Sequence, residues 1–205
     1  LYRNGPNPAY APRAGYHWFL GDGMIHGFEI ADGKVNYRNK WVRTEKFKVE
    51  RKHGEALLST DFNDLGERDP RAGNTGLNAA NTSIIYHGGK LLALEEVNPP
   101  VELDPDTLET IGPWHFDGNY AGPMTAHPRV DPKTGEMIFF AYFGGFPGEP
   151  KVGLHWVDKS GVLTRSEIIE VPYCAMIHDF LITENYIVLP IFPATIDMNR
   201  IAKGG

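Results

Sequence analysis

Apolar residues in this chain gather in short runs separated by polar turns, and helical periodicity is scarce. Between Thr82 and Glu95 the order is TSIIYH, then GGK, then LLALE. From Thr125 to Tyr142 it is TAHPRV, DPKTGE and MIFFAY, and from Ile177 to Phe192 it is IHDFLI, TEN and YIVLPIF. Each pattern predicts a strand, a turn and a second strand. The second run is nearly all apolar each time, which predicts burial on both faces. Further hairpins are expected over Met24 to Thr44, around Asp32-Gly33, over Val101 to Gly112, and over Val152 to Val171, around Lys159-Ser160-Gly161. Asp-Gly between alternating runs is a strong hairpin signal. Only Glu45 to Asp69 has a mixed character, fitting a short helix or a long loop.

Aligning the three units on their turns puts Thr82, His127 and His178 at nearly the same place, early in the first strand. The intervals are 45 and 51 residues. A period of that size in an all-β chain predicts propeller blades. The innermost strand of each blade lines the central axis, so equivalent residues on successive blades converge there.

Composition supports the all-β reading. The chain of 205 residues has 23 Gly, 16 Pro and 12% aromatic residues, which suits short strands and tight turns better than helices. A net charge of −6 with no basic stripe argues against a nucleic-acid partner. No apolar stretch is long enough to span a membrane and no secretory leader is visible at Leu1. A single cysteine, Cys174, rules out an internal disulfide and fits a reducing compartment, the cytoplasm. Leu1 opens directly in an apolar-aromatic pair, and the final Lys-Gly-Gly closes no pattern, so both ends read as cut.

Candidate chemistry is sparse locally. There is no HExxH and no Cys/His cluster. The repeat alone gives His127 and His178 a common level, where neutral imidazoles would suit a first-row transition metal. The alternative is that each caps a strand or bonds to backbone. Glu95 and Glu96 end an apolar strand and face opposite ways by alternation. A buried glutamate needs a partner, and a histidine is a good one; the alternative is a strand end in solvent. Gly21-Asp22-Gly23 reads as a tight turn. His17, His26, His53, His87, His115 and His155 read as structural residues in turns or exposed hairpins. Phe139, Phe140, Tyr142, Phe143 and Phe146 read as blade core.

LYRNGPNP at Leu1, HWFLGDGMIHGF at His17, NTSIIYHGGKLLALEE at Asn81, ELDPDTLETIG at Glu102, TAHPRVDPKTGE at Thr125 and IHDFLITENYIVLP at Ile177 form an ordered set. Together they resemble the carotenoid cleavage oxygenase family, which includes the lignostilbene dioxygenases. The resemblance implies a seven-bladed β-propeller capped by loops that form an apolar tunnel. Residues 1–205 would be the N-terminal and central part of that single domain, about three blades, cut at both ends. It implies Fe(II) held by four histidines, of which His127 and His178 match the first and second, and O2 as co-substrate. Glu96 matches the carboxylate that orients a ligand histidine, Thr82 a position beside the vacant iron site, and Phe19 an aromatic near the substrate cavity. The third and fourth histidine motifs are absent from these residues.

The activity so implied is oxidative scission of a carbon–carbon double bond in an apocarotenoid or stilbene-type substrate, giving two carbonyl products. A hydrophobic substrate of that kind would be drawn from a membrane surface by peripheral contact. Stilbene-cleaving members tend to carry lysine just before the orienting glutamate, where this chain has Glu95, which argues against phenolate recognition. The competing readings are a calcium-dependent propeller hydrolase and a propeller that binds proteins without catalysis.

Overall fold

The computed structural model describes residues 1–13, 15–61, 66–142 and 149–195. They resolve into two compact units. The first takes Leu1–Ile85, Leu91–Ala93 and Val101–Pro113; the second takes Tyr86–Lys90, Leu94–Pro100 and Trp114–Gly205.

The first unit opens with an antiparallel sheet of β1 (Tyr2–Pro6), β2 (Gly23–Ala31) and β3 (Lys34–Trp41), in that order. The β2–β3 register runs from Met24 opposite Trp41 to Ala31 opposite Lys34, leaving Asp32 and Gly33 as a two-residue turn. Their φ values of 51° and 70° are those of the mirror-image turn whose twist matches the strands it joins. The mixed segment resolves into a helix, α1 (Glu45–His53). The Thr44 hydroxyl caps it by accepting from the Phe47 amide at 3.2 Å, and Arg51, Lys52 and His53 fill its last turn, where cations meet the negative end of the helix dipole. The core of this unit gathers Ile25, Val42, Ala80, Leu91, Ala93, Val101, Leu103 and Leu108.

Next comes a four-stranded antiparallel sheet in the order β4 (Ser83–His87), β5 (Lys90–Leu94), β6 (Val101–Leu103) and β7 (Thr110–Pro113). β5 is buried from Leu91 to Leu94, as its unbroken apolar run predicts. The same meander recurs with β8 (Arg129–Val130), β9 (Met137–Ala141), β10 (Lys151–Val157) and β11 (Leu163–Glu170), ordered β11-β10-β9-β8. Ile138, Phe140 and Tyr142 point into one core with Val152, Leu154, Ile177 and Phe180. Phe139 faces the opposite way, stacking on Phe116 at 5.3 Å. That two-sided burial explains why β9 carries no polar alternation. Phe143 and Phe146 lie outside the described residues.

The third predicted unit forms only a hairpin among the described residues, β12 (Leu181–Ile182) paired with β13 (Ile187–Val188). Burial on both faces of the second run does not hold there: Tyr186 is 73% exposed and Val188 45%. The described residues supply this hairpin with no further paired strand, so it is not covered as β9 is by β10. No helix among the described residues is long and apolar enough to cross a membrane.

Two turns of the second unit meet closely. A Cβ built on Gly88, between β4 and β5, would lie 2.4 Å from the Cα of Gly161, between β10 and β11. Gly88 also has φ 56° and Gly161 φ 93°, backbone that L side chains rarely adopt.

His155 corrects an expectation. It is not in a turn but in the middle of β10, 6% exposed. It stacks on its cross-strand partner Phe139 at 4.7 Å, lies 4.3 Å from the Tyr120 ring, and its Nδ1 shares a hydrogen with the Ser166 hydroxyl at 2.9 Å. A short neutral imidazole fills this aromatic layer as an apolar ring would, with one polar edge satisfied. Burial pulls its pKa down from 6.5 to about 4. A histidine that resists protonation when folded stabilises the protein fully above the unfolded pKa, and the contribution is lost as pH falls towards the folded one. From pH 7 to pH 4 the loss expected from this group is about 3 kcal/mol. Denaturant titrations at both pH values test this: His155→Phe should lose less stability than the parent over that range. Equal losses would mean that His155 is not held neutral.

Candidate functional site

The second unit brings three of the sequence-predicted residues together. His127 follows Thr125, whose amide donates to the carbonyl of Phe140 at 3.0 Å and whose hydroxyl accepts from the His127 amide at 3.2 Å. The His127 segment is thereby fixed alongside β9. His178 lies between Ile177 and Phe180, each 1% exposed, which pin the chain on either side and leave the imidazole facing outward. Glu96 follows β5. Thr82, His127 and His178 stand one, two and three positions ahead of β4, β8 and β12, near the level that the repeat predicts but before the strand rather than early within it.

The Nε2 atoms of His127 and His178 lie 3.0 Å apart, with their rings at 71°. The Nδ1 of His178 is hydrogen-bonded to Oε1 of Glu96. Glu96 Oε2 accepts from the Tyr142 hydroxyl at 2.7 Å. A carboxylate accepts only, so Nδ1 of His178 carries the hydrogen and Nε2 presents its lone pair towards His127. Burial first, then the His178 imidazole, lower the His127 pKa below the usual histidine value, which favours the neutral form a metal requires.

A second tie spans the two histidine segments. Arg129 donates from Nη2 to both carboxylate oxygens of Asp179, at 2.7 and 2.8 Å, and from Nε to the carbonyl of Phe180 at 3.0 Å. These residues sit two positions after His127 and one or two after His178. The clamp therefore ties the segments that carry the two imidazoles. It was not legible in the sequence, because nothing in TAHPR or IHDF says that this arginine and this aspartate face one another.

The pair fits two positions on a first-row ion. Nitrogens bound at roughly 2.1 Å and at right angles to one another would lie roughly 3.0 Å apart, the separation seen here. No group of three or more His, Cys, Asp or Glu side chains able to hold a metal occurs among the described residues. The described donor set at this point is thus two imidazole nitrogens, one of them oriented by a carboxylate.

Thr82 and Phe19 belong to the first unit. The Thr82 hydroxyl donates to the Asn81 side-chain oxygen at 3.1 Å. The Asn81 amide nitrogen donates to the carbonyls of Phe19 and Gly21, both at 2.7 Å. Phe19 is 45% exposed on a single helical turn, Trp18–Leu20, its ring edge against His17 at 4.6 Å and Trp18 at 4.5 Å. The Glu95 carboxylate accepts from the Asn98 side chain at 2.6 Å. Tyr142 lies in the core, as its apolar run predicts, but its hydroxyl also bonds Glu96, which nothing in MIFFAY discloses.

Comparison with known proteins bears on the whole chain. The profile of the family described as Retinal pigment epithelial membrane protein matches residues 1–205. Resveratrol cleavage oxygenase 1 of Aspergillus fumigatus is 41% identical over 210 residues, covering 100% of this chain and 41% of that protein. Isoeugenol monooxygenase of Pseudomonas nitroreducens is 40% identical over 203 residues, covering 98% of this chain and 42% of that protein. The crystal structure of Pseudomonas brassicacearum lignostilbene dioxygenase matches with a TM-score of 0.91 and 39% identity, covering 100% of this chain and 42% of that one. The chain spans about two fifths of the length of the curated relatives it matches.

Proposed function

Because the chain belongs to the carotenoid oxygenase family, we propose that the whole protein is an iron(II)-dependent oxygenase that splits a carbon–carbon double bond with dioxygen. Its sheets are part of the seven-bladed propeller found in its structural neighbours. The observation that carries the reading is the 3.0 Å approach of the His127 and His178 Nε2 atoms, one of them oriented by Glu96. These two histidines would hold the iron from this part of the chain, and other residues of the whole protein would complete its coordination. Imidazole nitrogens suit ferrous iron and are the wrong donors for calcium, which takes oxygen. That favours the oxygenase over the hydrolase.

Bound iron would supply the activation of dioxygen. The residues in hand supply position. Glu96 keeps the Nδ1 proton on His178 and so fixes the tautomer; Arg129 and Asp179 hold the two histidine segments at their spacing. Thr82 would stand beside the reacting position and Phe19 at the substrate. The reaction adds the two atoms of O2 across the alkene carbons and breaks the bond between them, giving two carbonyls. Stilbene-type substrates and apocarotenoids both satisfy that chemistry. The names of the resveratrol and lignostilbene relatives support the former, and Glu95 in place of lysine supports the latter.

The test is made on the full-length protein, purified without oxygen. Near-stoichiometric iron is expected, with label from 18O2 in both carbonyl products of a stilbene or an apocarotenoid. A protein without iron, or label in one product only, would overturn the dioxygenase reading.

A further inference from the structure

We propose that Tyr142 is a positioning residue for the metal, acting through Glu96 on His178. The inference rests on the iron reading above and deepens it. Glu96 has two oxygens and two partners. Oε1 receives the His178 Nδ1 hydrogen, and Oε2 receives the Tyr142 hydroxyl at 2.7 Å. A carboxylate held at one oxygen can swing about its last torsion; held at both, its plane is fixed. The direction of the His178 Nε2 lone pair is set by that plane.

Tyr142 is well built for the role. It is 5% exposed, the first residue past β9, and packs in the same apolar cluster as Phe140, Ile177 and Phe180. Ile177 is also the residue before His178, so the ring that orients Glu96 packs in the cluster that anchors the histidine segment. Burial first, then the Glu96 charge, hold the phenol protonated, so that it donates throughout the working pH range. Among the described residues the side chain bonded to this hydroxyl is Glu96, and the backbone of Ile177, next to His178, is hydrogen-bonded to it as well.

Tyr142→Phe keeps the ring and removes the donor. In the full-length protein we expect iron to pass to an external chelator about tenfold faster than from the parent, the lower end of what loss of a supporting hydrogen bond costs a metal site. The visible absorption of the cobalt(II)-substituted protein should shift as well. In a Glu96→Ala background the same substitution should change neither quantity, because the path from Tyr142 to the metal is already cut. An unchanged release rate and spectrum in Tyr142→Phe, or an equal added effect without Glu96, would overturn the proposal. Should Tyr142→Phe fail to fold, 3-fluorotyrosine at this position keeps the hydroxyl and, for one small ring substituent, makes it a stronger donor; a moved cobalt band supports the proposal and an unmoved one overturns it. A parent that binds neither iron nor cobalt would overturn the iron reading itself, a result distinct from a loaded parent indifferent to Tyr142.

Discussion

On the iron reading proposed above, full-length protein carrying His178→Ala is expected to lose bound iron and at least about 100-fold of the proposed alkene-cleaving activity, since even changes beside a ligand cost 10- to 100-fold. His127→Ala should do the same. The fold should survive both. The His178 side chain is 55% exposed, while Ile177 and Phe180 on either side are 1% exposed and hold the segment. The Arg129–Asp179 clamp does not depend on either imidazole. His127 is only partly buried, and its segment is fixed through Thr125 rather than through the ring. Metal analysis beside thermal unfolding separates loss of a ligand from loss of structure. His26→Ala serves as the control: His26 bonds to the Tyr37 hydroxyl at 2.6 Å in the first unit and should leave iron unchanged. Parent-like iron in both variants would end the two-histidine assignment.

The largest effect on stability is expected at Lys46. Its ammonium is 3% exposed, and donates to Asp22 Oδ1 and Glu50 Oε2, both at 2.8 Å, whose side chains are 4% and 1% exposed. The remaining oxygens are also used. Glu50 Oε1 accepts from the amides of Leu57 and Leu58 at 3.0 and 3.1 Å, and Asp22 Oδ2 accepts from the Ala9 amide at 3.0 Å. Burial pulls the Lys46 pKa down, but the charges and hydrogen bonds of Asp22 and Glu50 outweigh it and the net shift is upward. Lys46→Met keeps most of the volume and strands two carboxylates in a dry site. Breaking a buried pair this way costs about 3–5 kcal/mol. Denaturant unfolding at pH 7 measures it. A loss below about 1 kcal/mol would show that water reaches these carboxylates, since exposed pairs contribute no more than that.

That cluster also marks where the sequence stops being informative. EKFKVERKH falls in the stretch that fits either a short helix or a long loop, yet Lys46 and Glu50 share a face that is buried. Their third partner, Asp22, stands in a stretch that reads only as a tight turn. A salt bridge across 24 residues leaves no local pattern. The hairpins were legible because their causes are local: Asp32-Gly33 needs only its own backbone geometry. The pairing of His127 with His178 was legible for another reason. The repeat imposes a common level on residues 51 apart, and the structure places their Nε2 atoms in contact. Alternation left Glu95 and Glu96 undecided between two faces. The distinction came from the resemblance, and in the structure Glu96 turns to His178 while Glu95 turns to Asn98. His155 and the Tyr142 hydroxyl were invisible for one shared reason. A polar atom inside an apolar run is recognised only by its partner, and the partners, Ser166 on β11 and Glu96 just past β5, lie elsewhere in the chain.

The meeting of Gly88 and Gly161 bears on how this protein can be altered. Most crowded contacts offer evolution a trade, since a larger residue on one side can be accommodated by a smaller one opposite. Here both sides are already the smallest residue, and the obstacle to each is the backbone of the other. No compensating substitution exists at the partner position. A mutagenesis library over the two turns should therefore show no rescued double variants, and insertions should be tolerated only on the far side of either loop.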